Sequence, residues 1–435
     1  MRPITGDPGS ERKTRMTGDT EPRRASRRRI SLPRALALAA GVLAATVGVA
    51  WAVHTLGSAP ADRASAIRPV VGRPYVSKAT ASSASVFLEL EHVSRSAILT
   101  LTCSSGNSSV TKRVDATDGL HEVALTGLLP GAPQEYAISI LEPQSPGEEE
   151  VLARGQFVTA PTRAGPFRFA VYGDTQKHPE IHKPIADAIA AEKPDFVLHV
   201  GDLTQDGLDE PRWPHEFFTP ARLMLFQCAI FPVIGNHEND APLYFQLFGL
   251  PLGKAWYTFS WGNVDFFVVD SIADFQPASE QWKWLKAALE ASTATWKIVA
   301  HHYPFISSRK RFMDQQMNES LRPLFEQYGV CLVFSGHEHN YARTRPLLSS
   351  AGESACPITY ITVGPGGGPL RPVTRGPWDA VACSCRAYMV VDVSGESLVM
   401  VAKDASGRVF DTLTLTKGDA SYSKRALVID RLPDP

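Results

Sequence analysis

The sequence predicts a layered α/β domain that is preceded by an all-β sandwich and by an N-terminal membrane segment. Three observations indicate this order. An uncharged apolar run follows an arginine-rich N-terminus, runs of alternating polarity occupy residues 73–159, and apolar strands alternate with helical patterns from residue 167. With 435 residues, 44% hydrophobic and 20% charged, the chain has a globular composition. The net charge of −1 gives no electrostatic reason to expect a nucleic-acid partner.

The N-terminal part predicts a protein whose main domains lie outside the cytoplasmic membrane. Residues 1–34 are arginine-rich and are expected to stay in the cytoplasm, whereas residues 35–56 contain an apolar run that could cross a bilayer as a helix. This segment is predicted to be a transmembrane anchor, or a signal segment if it is cleaved, in which case the protein is secreted. Residues 57–69 are predicted to be a linker rich in Ala, Ser and Pro.

Residues 70–161 are predicted to form the β-sandwich, because short runs that alternate apolar and polar residues are separated by Gly, Ser and Pro turns. The turn and tyrosine at residues 128–136 resemble the tyrosine corner of fibronectin type III modules. Residues 157–161 resemble the exit strand of the same module. We expect this domain to shield or position the next one.

The α/β domain is predicted over residues 166–418, followed by a C-terminal tail at 419–435. Buried strands are expected at residues 167–172, 196–200, 230–234, 264–269, 297–300 and 330–334, and helices at 181–192, 279–289 and 317–328. Later strands at 359–363, 387–393, 398–403 and 409–415 favour a second, more antiparallel sheet.

Five short polar motifs follow predicted strands, at the sheet edge where α/β domains bind ligands. They are Gly173-Asp174-Thr175-Gln176, Gly201-Asp202-Leu203, Gly235-Asn236-His237-Glu238, His301-His302-Tyr303-Pro304 and Gly336-His337-Glu338-His339. Any one of them alone would be an ordinary turn or loop, but five in succession make coincidence improbable. Asp, His and Asn side chains suit Fe, Zn or Mn better than Mg or Ca. The set is too large for one tetrahedral ion, so two metal ions that share a carboxylate are predicted.

These motifs resemble the calcineurin-like metallophosphoesterase superfamily, and within it the purple acid phosphatase branch, across about residues 167–415. Residues 256–266, 281–285 and 336–344 are also similar to that branch, as is a sandwich before the α/β domain. The resemblance implies a four-layer αββα sandwich and a metal-dependent hydrolase of phosphate esters.

The activity implied first is that of a phosphomonoesterase, similar to acid phosphatases, in which a metal-bridging hydroxide attacks phosphorus. A phosphodiesterase acting on nucleotides or phospholipid headgroups is the alternative with the same metals. A cell-surface binding protein with a relic site is the alternative of another class. The sequence gives no basis for an oligomeric state.

The resemblance also assigns the metal ligands. Asp174 and His339 would bind the first metal, Asn236, His302 and His337 the second, and Asp202 would bridge them. His302 is preferred over His301 because the ligand of the superfamily stands two residues before the proline.

Two glutamines depart from the pattern of the superfamily. Gln176 stands where other calcineurin-like enzymes carry a histidine, so it would bind the first metal through its oxygen or only orient a ligand. Gln205 stands where purple acid phosphatases carry the tyrosine that colours the iron, so a purple protein is not expected.

Two residues are predicted to contact the substrate. His237 resembles the outer histidine that hydrogen-bonds the phosphate and assists the leaving group, although an orienting hydrogen bond to a carboxylate is the simpler role. Arg309, in a run of cations after Pro304, would hold negative charge of the phosphate, and a solvated charged surface is about as plausible. The glycine-rich turn at residues 364–369 is predicted to rim the pocket.

The six cysteines allow disulfides in an exported chain. Three of them lie in apolar stretches and are expected to be buried thiols: Cys103, Cys228 and Cys331. Cys383 and Cys385 are spaced too tightly for easy mutual pairing, so a bond between one of them and Cys356 is predicted. A zinc knuckle is the alternative, although no matching pair of ligands lies nearby.

Overall fold

The computed structural model describes residues 70–143, 147–162, 165–309, 312–348, 356–419 and 427–428. These residues belong to one compact unit, which begins at Ile67. The predicted cytoplasmic segment, membrane segment and linker, and most of the predicted tail, lie outside them. None of the helices in the described ranges combines the length and the hydropathy that spanning a bilayer requires.

The first sheet has nine strands and contains the first three predicted strands of the α/β domain. In spatial order its strands are Val409–Thr416, Ser397–Lys403, Tyr388–Ser394, Phe167–Tyr172, Phe196–His199, Ala229–Pro232, Val70–Ser77, Ser83–Glu91 and Gly119–Thr126. Strands Phe167–Tyr172, Phe196–His199 and Ala229–Pro232 run parallel to one another. Their carboxyl ends, and the motifs that follow them, therefore lie at one edge of the sheet.

The second sheet has seven strands, and four of them are parallel. In spatial order its strands are Tyr257–Trp261, Val264–Val268, Trp296–Ala300, Leu332–Ser335, Thr359–Val363, Tyr341–Thr344 and Asp379–Cys383. The four parallel strands are neighbours in this order: Val264–Val268, Trp296–Ala300, Leu332–Ser335 and Thr359–Val363. Two-stranded pairs are formed by Ile306–Ser307 with Phe312–Met313 and by Leu347–Leu348 with Leu427–Val428.

The two sheets pack face to face, with helices on both outer faces. Between the sheets, Phe169 of the first sheet contacts Phe266 and Phe334 of the second at ring-centroid distances of 5.3 and 6.4 Å. The α-helices of the described ranges are Pro179–Ala191, Arg222–Leu225, Pro242–Phe248, Glu280–Ala291, Gln315–Ser320 and Arg322–Tyr328. The first three cover the outer face of the first sheet, and the last three cover the second sheet. The four-layer αββα arrangement implied by the resemblance is therefore present.

The helices follow local signals, with one difference from the prediction. Helix Glu280–Ala291 begins where the Ser279 hydroxyl accepts a hydrogen bond from the Trp282 backbone N–H at 3.1 Å. The single helix predicted at residues 317–328 is two helices that meet at Leu321. Pro323 has no N–H to donate and its ring crowds the preceding turn, so the helix ends and restarts there.

The C-terminal strands correct a second expectation. Strand Thr359–Val363 lies in the second sheet, but the three strands after Ala387 extend the first sheet. Strand Tyr388–Ser394 pairs antiparallel with Phe167–Tyr172, with Val391 opposite Phe169. The sequence pattern identifies these strands but not the sheet edge that they join.

The predicted β-sandwich is present but is joined to the α/β domain by backbone pairing. Its second sheet contains Ser108–Asp115, Ile98–Ser105, Pro133–Leu141 and Glu149–Val158. Its other strands continue the nine-stranded sheet, because Val76 and Ser77 pair in parallel with Ala229 and Ile230. Hydrogen bonds thus cross the predicted domain boundary. The relation of this sandwich to fibronectin type III modules stays a prediction.

The cysteine pairing differs from the prediction. Cys383 and Cys385 are bonded to each other, with a Cα–Cα distance of 5.5 Å, and Cys356 is a free thiol. The chain bends directly after Cys383, at the end of its strand, and this bend brings the two Cα atoms into the range for a disulfide. The three thiols expected to be buried are buried.

Candidate metal centre

The five motifs meet at the shared edge of the two sheets, where tight backbone turns aim their side chains inwards. Asp174, Asp202, His337 and His339 have positive φ values, between 48 and 65°. This conformation is uncommon for residues other than glycine and is concentrated at functional sites. The turns also need a glycine, because a Cβ atom on Gly201 would lie 2.5 Å from His302 Nδ1.

The predicted ligands form two clusters that share one carboxylate. Asp174, Asp202 and His339 form the first cluster, and Asp202, His302 and His337 the second, with the donor atoms in each within 4.8 Å of one another. Asn236 joins the second cluster through its Oδ1 atom, 3.0 Å from His337 Nδ1 and 3.2 Å from His302 Nε2. Asp202 is therefore the residue common to both clusters.

Hydrogen bonds behind the cluster fix which nitrogen of each histidine faces the donors. His302 Nδ1 donates to the carbonyl of Val200 at 2.8 Å, so Nε2 is the nitrogen that faces Asp202 Oδ2, at 3.3 Å. His339 Nδ1 donates to the carbonyl of Pro369 at 2.9 Å, and its Nε2 faces Asp174 Oδ1 at 3.4 Å. A ring nitrogen and a carboxylate oxygen that face each other are held together by a proton or by a metal ion that replaces it, so this donor set fits metal ions.

The electrostatics of the cluster agree with cation binding. Burial raises the pKa of Asp174 well above its usual value, and the charge of Asp202 acts in the same direction. Burial opposes a charge on His302, but Asp202 and Asp174 nevertheless raise its pKa to about 10. Two buried carboxylates with a common histidine concentrate negative charge that positive ions stabilise.

Glu238 is a site residue that the sequence places in a motif but whose role it does not reveal. Its carboxylate is fully buried and accepts hydrogen bonds from the backbone N–H groups of Asp202, Leu203 and Gly235 at 2.9, 2.8 and 2.6 Å. Glu238 therefore links the backbone turn that contains Asp202 to the turn that contains Asn236. An acidic residue directly after Asn236 and His237 was the available signal.

Gln176 lies beside the first cluster. Its side-chain Nε2 atom is 3.2 Å from Asp202 Oδ2 and 3.2 Å from His339 Nε2, and its Oε1 atom is buried without a hydrogen-bond partner among the described residues. Exchanging the amide oxygen and nitrogen would aim the oxygen at the same point between the two ligands. The amide is thus positioned to contact the first metal.

We expect Gln176→Leu, which keeps the volume but removes the amide, to weaken binding of the first metal by about 10- to 100-fold. The loss should appear as one high-affinity ion fewer in a calorimetric titration with Zn²⁺ or Mn²⁺. Gln205→Leu is the matched control, because the Gln205 amide contacts His237 Nδ1 at 3.1 Å instead of the metal donors. Equal metal affinity in the Gln176 variant and in the unmodified protein would remove Gln176 from the metal site.

His237 lies beside the shared carboxylate and is partly open to solvent. Its backbone N–H donates to Asp202 Oδ1 at 2.9 Å, and its Nδ1 donates to the carbonyl of Gln205 at 2.8 Å. Its Nε2 is therefore free on the open side, 4.0 Å from Asp202 Oδ2. By contrast, His301 is fully buried, and neither of its ring nitrogens has a hydrogen-bond partner among the described residues. This agrees with the choice of His302 as the ligand.

The two arginines near the centre differ in their relation to the cluster. Arg309 is half-buried on the turn after Ile306–Ser307, and within the described ranges it forms no hydrogen bond or ion pair with a predicted ligand. Arg371, which the sequence did not indicate, donates from Nη1 to the carbonyl of His337 at 3.3 Å and from its backbone N–H to the carbonyl of His339 at 3.2 Å. The structure thus brings Arg371, rather than Arg309, to the ligand histidines.

Comparison with known proteins agrees with this site. Residues 167–341 match the family model described as calcineurin-like phosphoesterase. The α/β domain belongs to the calcineurin-like phosphoesterase superfamily. The matched residues of this calcineurin-like domain begin with the first strand of the α/β domain and include all five motifs.

Similar proteins lie in the purple acid phosphatase branch of the calcineurin-like superfamily. Purple acid phosphatase 15 of Arabidopsis thaliana is 26% identical over 60% of this chain and 58% of its own length. The protein named Probable inactive purple acid phosphatase 24, from the same plant, is 26% identical over 51% of this chain and 43% of its own. A solved purple acid phosphatase from seeds of yellow lupin, Lupinus luteus, has the same fold, with a TM-score of 0.71 over 84% of this chain and 77% of that chain at 16% identity.

These matches confirm the predicted superfamily and branch, and the two donor clusters agree with the predicted pair of metal ions. The chain spans about half the length of the curated relatives. Its own activity and substrate therefore do not follow from the names of those relatives.

Proposed function

We propose that this protein hydrolyses phosphate monoesters with two metal ions of Fe, Zn or Mn. The observation that carries the proposal is the position of Asp202 between two clusters of donors, where Nε2 of His302 and Nε2 of His339 each face a carboxylate oxygen. When bound, two metal ions would supply an activated water and neutralise charge on the phosphoryl oxygens. We further propose that the domain works outside the cytoplasmic membrane, on the N-terminal anchor or as a secreted protein, with the fibronectin-like sandwich as a support.

The side chains of the site would position the metal ions and transfer a proton to the leaving group. Asp202, His302 and Asn236 hold the donor atoms in fixed positions, because each is anchored by backbone or neighbouring side-chain hydrogen bonds. His237 presents Nε2 on the open side of the cluster, since Nδ1 is held by the Gln205 carbonyl. A protonated Nε2 would donate a hydrogen bond to the phosphate and transfer its proton to the leaving oxygen.

A relic binding site is the competing proposal of another class, and one relative carries the word inactive in its name. Here, however, Asp, Asn and His donors occupy the ligand positions of both clusters except the one at which Gln176 or Gln205 stands. Such a set of buried, opposed donors is costly to maintain without a cation. We therefore favour an active hydrolase over a relic site.

The proposal is tested by metal-dependent turnover of 4-nitrophenyl phosphate and of bis(4-nitrophenyl) phosphate, measured across pH after loading with Mn²⁺, Zn²⁺ or Fe. We expect the monoester to have the higher kcat/KM, and removal of metal with a chelator to abolish turnover. A higher kcat/KM for the diester would favour the phosphodiesterase. Absence of turnover with every metal, in a protein that binds two ions, would favour the relic site.

A further inference from the structure

Arg371 is held rigidly against the metal centre by the glycine-rich turn. The backbone N–H groups of Gly367 and Gly368 donate to the carbonyl of Asp174 at 2.7 and 2.8 Å, and Pro369 accepts the hydrogen bond from His339. A side chain would not fit at Gly367, because its Cβ atom would lie 2.3 Å from the carbonyl oxygen of Thr175. The turn therefore fixes where Arg371 leaves the backbone.

The guanidinium of Arg371 lies in contact with the ligand segment itself. Its Nη1 atom donates to the carbonyl of His337, and the backbone N–H of the same residue donates to the carbonyl of His339. The side chain of Arg371 is therefore anchored beside the second cluster, and its backbone beside the first.

Within the described ranges, Arg371 forms no ion pair with a carboxylate. Other arginines that are largely buried are neutralised: Arg343 bonds to Asp411 at 2.7 Å, and Arg322 bonds to Glu326 at 2.8 Å. A half-buried, unpaired cation beside a cationic metal site is unfavourable unless an anion binds next to it. An anion bound at the centre would balance this charge.

We propose that Arg371 binds the phosphoryl group of the substrate and selects dianionic monoesters over monoanionic diesters. The inference rests on the proposed function, which it deepens. A monoester dianion has one more negative charge and one more non-bridging oxygen than a diester. Guanidinium donors form strong charge-assisted hydrogen bonds with such oxygens. Arg371 is thus the specificity residue, in place of Arg309.

The test compares Arg371→Gln, Arg371→Lys and Arg309→Gln with the unmodified protein, all loaded with Mn²⁺. Arg345→Gln is the control, because Arg345 is exposed. We expect Arg371→Gln to lower kcat/KM for 4-nitrophenyl phosphate by about 10- to 100-fold and to weaken calorimetric binding of inorganic phosphate similarly. The diester should change by less than about threefold, since it lacks the additional charge. Arg371→Lys should restore part of the monoester activity, and metal content should stay at two ions.

Other outcomes would overturn the proposal. An equal loss on monoester and diester, or loss of metal, would reduce Arg371 to a structural support for the turn. If Arg309→Gln lowers kcat/KM for the monoester alone and Arg371→Gln does not, the phosphoryl group is bound by Arg309 instead. If the unmodified protein shows no turnover, the phosphate titration still decides the matter, because weaker binding in Arg371→Gln supports the anion site while the proposed hydrolase fails.

Discussion

Asp202→Asn is expected to lower kcat/KM for an aryl phosphate monoester by at least about a thousandfold. The substitution keeps the size of the side chain and the oxygen that accepts the His237 backbone N–H, but it removes the charge that both clusters share. Neither cluster then has its full set of donors, so metal content should fall below two ions per chain. Activity and metal content by mass spectrometry are the two measurements.

Asp206→Asn is the matched control for this experiment. Asp206 lies further along the same loop, where its carboxylate accepts hydrogen bonds from Leu208 and Asn239 and no metal donor is involved. It should keep both ions and nearly all activity. Full activity in Asp202→Asn would contradict the two-metal site at its central residue.

Gly201→Ala is expected to lower activity by about 100-fold and to release the second metal preferentially. The new Cβ atom would lie 2.5 Å from His302 Nδ1, where it breaks the hydrogen bond to Val200 that orients the ring. The residue also has a φ of 95°, a conformation that costs alanine about 1–2 kcal/mol. Activity, metal titration and the thermal midpoint should be measured together.

Gly253→Ala separates the steric effect from the backbone strain. Gly253 also has a positive φ, 75°, but a Cβ atom there meets no atom within 4 Å. Both variants should lose similar stability, whereas only Gly201→Ala should lose metal and activity. Similar activity in the two variants would show that the approach of His302 to the turn has no role in the centre.

The convergence of the five motifs could be predicted from the sequence because the signals for it are local. Each of the five motifs follows a strand, and parallel strands bring their carboxyl ends to one edge, so Asp174, Asp202 and His302 were expected to converge. The individual metal assignments stay predictions, and so do the roles of His237 and Gln176. The geometry brings all these residues together around one carboxylate.

What the sequence could not predict depends on long-range pairing. Nothing in the pattern of residues 388–394 indicates that they join the free edge beside Phe167–Tyr172. Arg371 comes two residues after the predicted glycine-rich turn but belongs to none of the five motifs, so only the contact of that turn with Asp174 identifies it. The pairing of Cys383 with Cys385 depends on a bend that composition does not reveal.

The pairing of Val76 and Ser77 with Ala229 and Ile230 has an evolutionary consequence. A module connected by a linker can be exchanged or lost without damage to its neighbour. Here, loss of the sandwich would uncover the backbone donors and acceptors of strand Ala229–Pro232, two residues before the motif that contains Asn236, and create an edge open to aggregation. Descendants of this protein are therefore expected to inherit the sandwich and the metal-binding domain together.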